Sequence, residues 1–208
     1  MNFLCHSEIA LHISEQAPSL QKQQTGILAG AVLGDFLKGR IKETWDPSLA
    51  MGIKLHRKID AMSNRNVVIQ TACNRFPSTM RRLAPILIDI VSDYFLANDW
   101  KTYQQASLQI FSTKCYSALA SYENVTNKSF SNFLKYMKKK NLLANSGNWE
   151  TIENTTFNVL KRLNKESELI AILKAMENIK PLLSQDFKNF YPPLRHSCVD
   201  WALENLPQ

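Results

Sequence analysis

Apolar residues in this chain recur three and four positions apart, and the strict alternation of a half-buried strand is scarce. The pattern predicts a succession of helices. The first covers residues 2–15, with Phe3, Ile9 and Leu11 among polar neighbours. Pro18 and the run Gln21-Lys22-Gln23-Gln24 separate it from GILAGAVLGDFLKGRI, a dense apolar stretch that Thr25 is placed to cap. Its glycines Gly26, Gly30 and Gly34 stand four apart, a ridge without side chains along which another backbone can approach. Asp46-Pro47-Ser48 opens a third helix through AMGIKLHRKIDAMSN, where Ile53, Ile59 and Met62 lie on or near one face beside His56 and Asp60. The chain turns around Phe76-Pro77-Ser78. Residues 80–100, MRRLAPILIDIVSDYFLANDW, are the most hydrophobic helix, with Pro85 expected to sit in its first turn or to kink it there. Residues 101–122, 129–144, 149–164 and 166–184 read as further helices, with a turn at Asn145-Ser146-Gly147-Asn148. The last is expected to end near Pro181, leaving residues 187–203 as an aromatic tail around Pro192-Pro193. No period of ~20–50 residues repeats. The expected fold is all-α, a single-domain helical bundle of about seven helices over residues 1–208. Residues 1–100 carry the candidate site and 101–208 supply supporting helices.

Composition sharpens this. A chain of 208 residues buries a full core without disulfides or a structural metal. Six glycines and eight prolines leave few turns. Lysine and arginine total 25 against 18 acids, a net charge of +7. Such an excess attracts acidic partners (nucleic acid, phosphate compounds, anionic membrane or an acidic protein) without choosing among them. Cys5, Cys73, Cys115 and Cys198 form no CxxC pair, which fits reduced thiols and a cytoplasmic location. The start MNFLCHSEIALHISEQ has no basic region before its apolar part and is not expected to direct secretion. No run reaches ~18 apolar residues, so no membrane span is expected. Phosphate loops and a GxSxG nucleophile motif are absent.

The chemistry concentrates where charge sits among apolar neighbours. Asp89 and Asp93 stand four apart in ILIDIVSDYFL, hence on one helical face. Two ionised carboxylates there lose solvation and repel each other, and a cation between them removes both penalties. His56 and Asp60 form a second pair with the same spacing. Asp35 is the lone charge in GILAGAVLGDF, and His6 follows Phe3 and Leu4. Helical bundles build metal centres from inward ligands of this kind on facing helices. Carboxylate and imidazole donors without thiolate favour Mn²⁺, Mg²⁺ or Fe²⁺, ions that serve phosphate-ester cleavage. Lys38, Arg57 and Lys58 stand near these helices as candidate contacts for substrate phosphate or an acidic surface. Lys138-Lys139-Lys140 reads as surface charge, and no nucleic-acid-reading motif accompanies it.

The segments MNFLCH, GAVLGDFLKG, GIKLHRKID and APILIDIVSDYFLANDW, in this order and spacing, resemble the bacterial acyl carrier protein phosphodiesterases. FKNFYPPL resembles that family's aromatic-proline tail. The likeness spans essentially the whole chain and is most specific over residues 1–100. It implies hydrolysis of the phosphodiester between 4′-phosphopantetheine and a serine of an acidic acyl carrier protein, dependence on Mn²⁺, and a distant similarity to HD-type phosphohydrolases. By this resemblance His6, Asp35, His56, Asp60, Asp89 and Asp93 occupy the family's polar motif positions. We take His6, Asp35, His56, Asp89 and Asp93 as candidate metal ligands, and His56, Asp60 and Asp93 as candidate catalytic groups. One ion cannot use all six. The chain departs from the family at Tyr94, where Asp-His-Phe-Leu is usual; if that histidine is catalytic, activity here is altered or lost. Alternative readings are a metal phosphohydrolase of another ester, such as a nucleotide, a carrier-binding domain without catalysis, and a nucleic-acid-binding module.

Overall fold

The first helix, α1 (Phe3–Gln16), is the axis of the molecule. Leu4, Cys5, Ile9, Ala10 and Ile13 are fully buried on different sides of it. A helix buried all round must also satisfy every polar group it carries. Ser7 and Ser14 donate back to the carbonyls of Phe3 and Ala10, each at 2.8 Å. Buried Glu8 accepts from Tyr191 Oη at 2.6 Å, Gln104 Nε2 at 2.8 Å and Arg195 Nε at 2.9 Å.

In this computed structural model, residues 2–205 are described, and they form ten α-helices and no strand. α2 (Gln24–Leu33) packs on α3 (Pro47–Arg65) more extensively than any other helix pair. The glycine ridge explains the closeness. A Cβ on Gly30 would sit 2.7 Å from the Gly52 Cα, so the two backbones meet where neither helix has a side chain. Asp46 caps α3 as its sequence signal predicts, accepting from the amides of Ser48 at 2.8 Å and Leu49 at 3.1 Å.

Four expectations need correction. Thr25 does not cap α2; the 3₁₀ turn Pro18–Gln23 leads straight into it, and the helix starts at Gln24 with no side-chain cap. α2 also stops at Leu33, so Asp35 stands in the following turn rather than within a helix. The stretch before Phe76 is a helix of its own, α4 (Val67–Arg75), because Asn66 ends α3 and its side chain accepts from the Val68 amide at 2.8 Å. Then come α5 (Ala84–Asn98), the short α6 (Trp100–Tyr103), α7 (Leu108–Ser121), α8 (Lys128–Lys140) and α9 (Trp149–Arg162). The largest difference is α10 (Leu169–Glu204), which continues through Pro181, Pro192 and Pro193 to include the expected tail. Local preference opposes proline in a helix interior by ~3 kcal/mol. Tertiary packing overrides it here. Phe187, Phe190, Tyr191, Leu194 and Cys198 are buried. Asp186 accepts two bonds from Arg75, at 2.6 and 2.9 Å, while Tyr191 and Arg195 hold Glu8. The four cysteines are unpaired. No described helix is long and apolar enough to cross a membrane.

Candidate metal centre and its cavity

Two helices and one turn bring the centre together. α1 supplies His6, α3 supplies His56 and Asp60, and the turn after α2 supplies Asp35. A Cβ on Gly34 would collide with the His56 ring, so glycine there lets the imidazole tuck beneath the end of α2. The rings of His6 and His56 stack with centroids 4.3 Å apart.

Each imidazole is anchored through Nδ1. His56 Nδ1 donates to the Ala31 carbonyl at 2.8 Å, and His6 Nδ1 donates to the Asn2 carbonyl at 2.9 Å. A carbonyl can only accept, so the proton is fixed on Nδ1 and the neutral ring presents a lone pair at Nε2. Both Nε2 atoms face Asp60: His6 lies 3.1 Å from Oδ1 and His56 3.2 Å from Oδ2. Asp35 Oδ1 lies 3.7 Å from His56 Nε2.

Electrostatics make this arrangement informative. Burial pushes the His6 imidazole below its ordinary pKa, against the pull of Asp60, and so favours its neutral form. Burial would raise the Asp60 carboxyl, but hydrogen bonding to His56 and His6 outweighs it and holds the group well below the carboxylate range. With Nδ1 committed to a carbonyl, each Nε2 can bond to the ionised carboxylate only as a protonated ring, which burial disfavours at His6. A divalent cation resolves that conflict. His6, His56 and Asp60 each offer one ligand atom, all within 4.8 Å of one another. Anchoring the second ring nitrogen to a carbonyl is also how proteins orient metal-binding histidines. The donor set therefore fits a divalent ion.

The other expected residues fall elsewhere. Asp93 is buried and reaches the start of α1, its Oδ2 accepting from the Leu4 amide and its Oδ1 from the Cys5 amide, both at 3.0 Å. Burial raises its carboxyl to about 6, with those two amides pulling the other way. Asp89 lies outside the three-residue group but shares the adjoining cavity with Asp35, Asp60 and Asp93. Lys38, Arg57 and Lys58 do not line that cavity. Lys38 donates to the Gly34 carbonyl at 3.3 Å, and Arg57 clips the loop after α2 through the carbonyls of Leu37 and Gly39 at 3.2 and 2.7 Å. Lys58 Nζ stands 6.0 Å over the Trp201 ring. Tyr94 points away from the centre altogether. Its ring meets Trp149 edge-on at 5.1 Å, and Lys180 Nζ sits 4.3 Å over it.

The cavity beside the centre has a volume of about 870 Å³. Part of its lining comes from α9, in the second half of the chain. Lys161 and Arg162 line it there, the two cations in its lining. Thr151, Thr155, Asn158 and Arg162 recur at helical spacing on the inward face of α9. That polar stripe was the signal available in the sequence.

Fold and centre together define a class: an all-helical protein whose paired imidazoles and carboxylate fit a divalent ion beside a large cavity. Comparison with known proteins resolves the class. The family model described as acyl carrier protein phosphodiesterase matches residues 1–194, and the chain belongs to that family. Relatives bearing the name acyl carrier protein phosphodiesterase include one from Yersinia enterocolitica serotype O:8 / biotype 1B, 27% identical over 201 residues, which cover 96% of this chain and 98% of the relative. One from Serratia proteamaculans is 26% identical over 204 residues, 98% of this chain and 100% of the relative. One from Escherichia coli O139:H28 is 35% identical over 100 residues, 48% of this chain and 46% of the relative. No solved structure matches the chain.

Proposed function

We propose that this protein hydrolyses the phosphodiester joining 4′-phosphopantetheine to a serine of holo-acyl carrier protein, releasing the apo carrier and free 4′-phosphopantetheine. Membership of the family supports the reaction. The observation that carries its chemistry is the convergence of two Nδ1-anchored imidazoles on Asp60, at 3.1 and 3.2 Å. His6, His56 and Asp60 would hold a divalent ion. Two nitrogens and one oxygen suit Mn²⁺ or Fe²⁺ better than Mg²⁺, which prefers an all-oxygen shell. When bound, the ion supplies Lewis-acid polarisation of the phosphoryl oxygens and activation of water.

The chain's own residues do the rest. The carbonyls of Asn2 and Ala31 keep both imidazoles in the tautomer that presents Nε2. Asp35, 3.7 Å from His56 Nε2 and 43% exposed, stands where it can accept a proton from an attacking water. Lys161 and Arg162 bring positive charge into a cavity otherwise rich in acids and can offset charge on a phosphate. Tyr94 packs on Trp149 and takes no part in this reading.

The test is to incubate purified holo carrier protein with this protein and Mn²⁺ and to follow free 4′-phosphopantetheine beside a panel of nucleotides. Release from the carrier is expected, and chelation abolishes it. Turnover of nucleotides alone would overturn the reading.

A further inference from the structure

The centre needs only a few ångströms of space for a phosphate. The cavity of about 870 Å³ is far larger and falls in the ~300–1,000 Å³ range of pockets for organic ligands of drug size. Its walls differ in character. One side is apolar, with Phe3, Phe36, Ile90 and Phe133. Ile86 and Tyr136, 37% and 38% exposed, add large apolar groups that face this space rather than the core. Another part of the lining comes from α9, whose Thr151, Thr155 and Asn158 are polar and uncharged. Thr155 Oγ1 donates to the Thr151 carbonyl at 2.8 Å, which leaves its lone pairs to accept from a ligand N–H.

Access completes the picture. His6 and His56 are buried, while Asp60 and Asp35, 40% and 43% exposed, line the cavity, so the centre opens directly into it. A phosphodiester seated there would keep one substituent outside and send the other inward. The outer one can be a macromolecule. The inner one must be a slender chain that offers both apolar carbon and uncharged polar groups.

We propose that the cavity is the binding site for the prosthetic arm itself, an amide-bearing chain laid between the apolar residues of α5 and α8 and the polar stripe of α9. The inference rests on the carrier-protein reading above. Ile86, Ile90 and Phe133 pack the carbon skeleton. Thr155 and Asn158 hydrogen-bond the amides and make α9 the wall that selects for them.

The experiment compares amide shifts of the full chain on adding 4′-phosphopantetheine or inorganic phosphate. Shifts at Thr151, Thr155 and Asn158 are expected with the former and not with phosphate. They should vanish in Thr155→Trp, and in Ile86→Trp from α5, an exposed position where the added ring leaves the core intact. In both variants KM for holo carrier protein should rise at least about tenfold, or 1.4 kcal/mol. If 4′-phosphopantetheine leaves the α9 amides unmoved, or phosphate moves them equally, the assignment is overturned even when holo carrier is cleaved. If the arm binds as described but no carrier is cleaved with Mn²⁺, the functional reading fails and the cavity assignment stands.

Discussion

Asp93 sits close to the centre yet serves a different end. Its two oxygens take two of the free amides in the first turn of α1, a cap delivered across 89 and 88 residues of sequence. Replacing it with alanine strands two buried N–H groups, which we expect to cost about 2–4 kcal/mol. Its carboxyl is raised to about 6 from an ordinary 3.8. A raised acid binds its proton more tightly folded than unfolded. Its stabilising effect is therefore complete below pH 3.8, declines as pH rises toward about 6, and is level beyond. Urea melts of wild type and Asp93→Asn across this window should show the difference between them shrinking as pH rises; a growing difference would contradict the assignment. The candidate centre was partly legible at this scale. The four-residue spacing of His56 and Asp60, and charge set in apolar surroundings at His6 and Asp35, marked residues that the fold brings together. Asp93 carried the same signal, because an acid that caps a distant helix looks locally like an acid that binds a metal.

Among elements, α1 and α10 are joined by the buried Glu8–Arg195–Tyr191 group. Removing one partner leaves a charge in the core, so Glu8→Ala should lose about 3–5 kcal/mol in denaturant melts. A loss below 1 kcal/mol would mean that α10 is held by its apolar face alone. At the end of α2, Gly34→Ala should displace the His56 ring. Expected is a stability loss of about 1–3 kcal/mol together with weakened Mn²⁺ binding; a variant that binds as wild type would show that His56 has room to move. The glycine ridge and the Asp-Pro-Ser cap were readable because both act locally. The course of α10 was not. Pro181, Pro192 and Pro193 announce an end that burial of Phe187, Phe190 and Tyr191 overrules, and nothing near them in sequence states that burial.

Across the whole molecule, the cavity joins what the sequence separates. Acids from the first half and the polar stripe of α9 from the second face one space. Read alone, α9 is an ordinary amphipathic helix, so Lys161 and Arg162 carry no local signal, whereas Lys38, Arg57 and Lys58 stand beside the motifs. The net charge of +7 acts at this scale as well. An acidic carrier protein should be drawn in by it, so kcat/KM is expected to fall on the order of tenfold as salt rises from about 50 to 500 mM. Activity indifferent to salt would remove steering from the mechanism.

Everything chemical turns on whether two anchored imidazoles and Asp60 hold a cation. Titrating the protein with Mn²⁺ and counting free ion by electron paramagnetic resonance addresses this directly. Wild type should bind the ion, and His56→Ala and Asp60→Ala, verified as folded by circular dichroism, should bind at least about 100-fold more weakly. Undiminished binding in both variants, or none in wild type, would contradict the assignment of the centre.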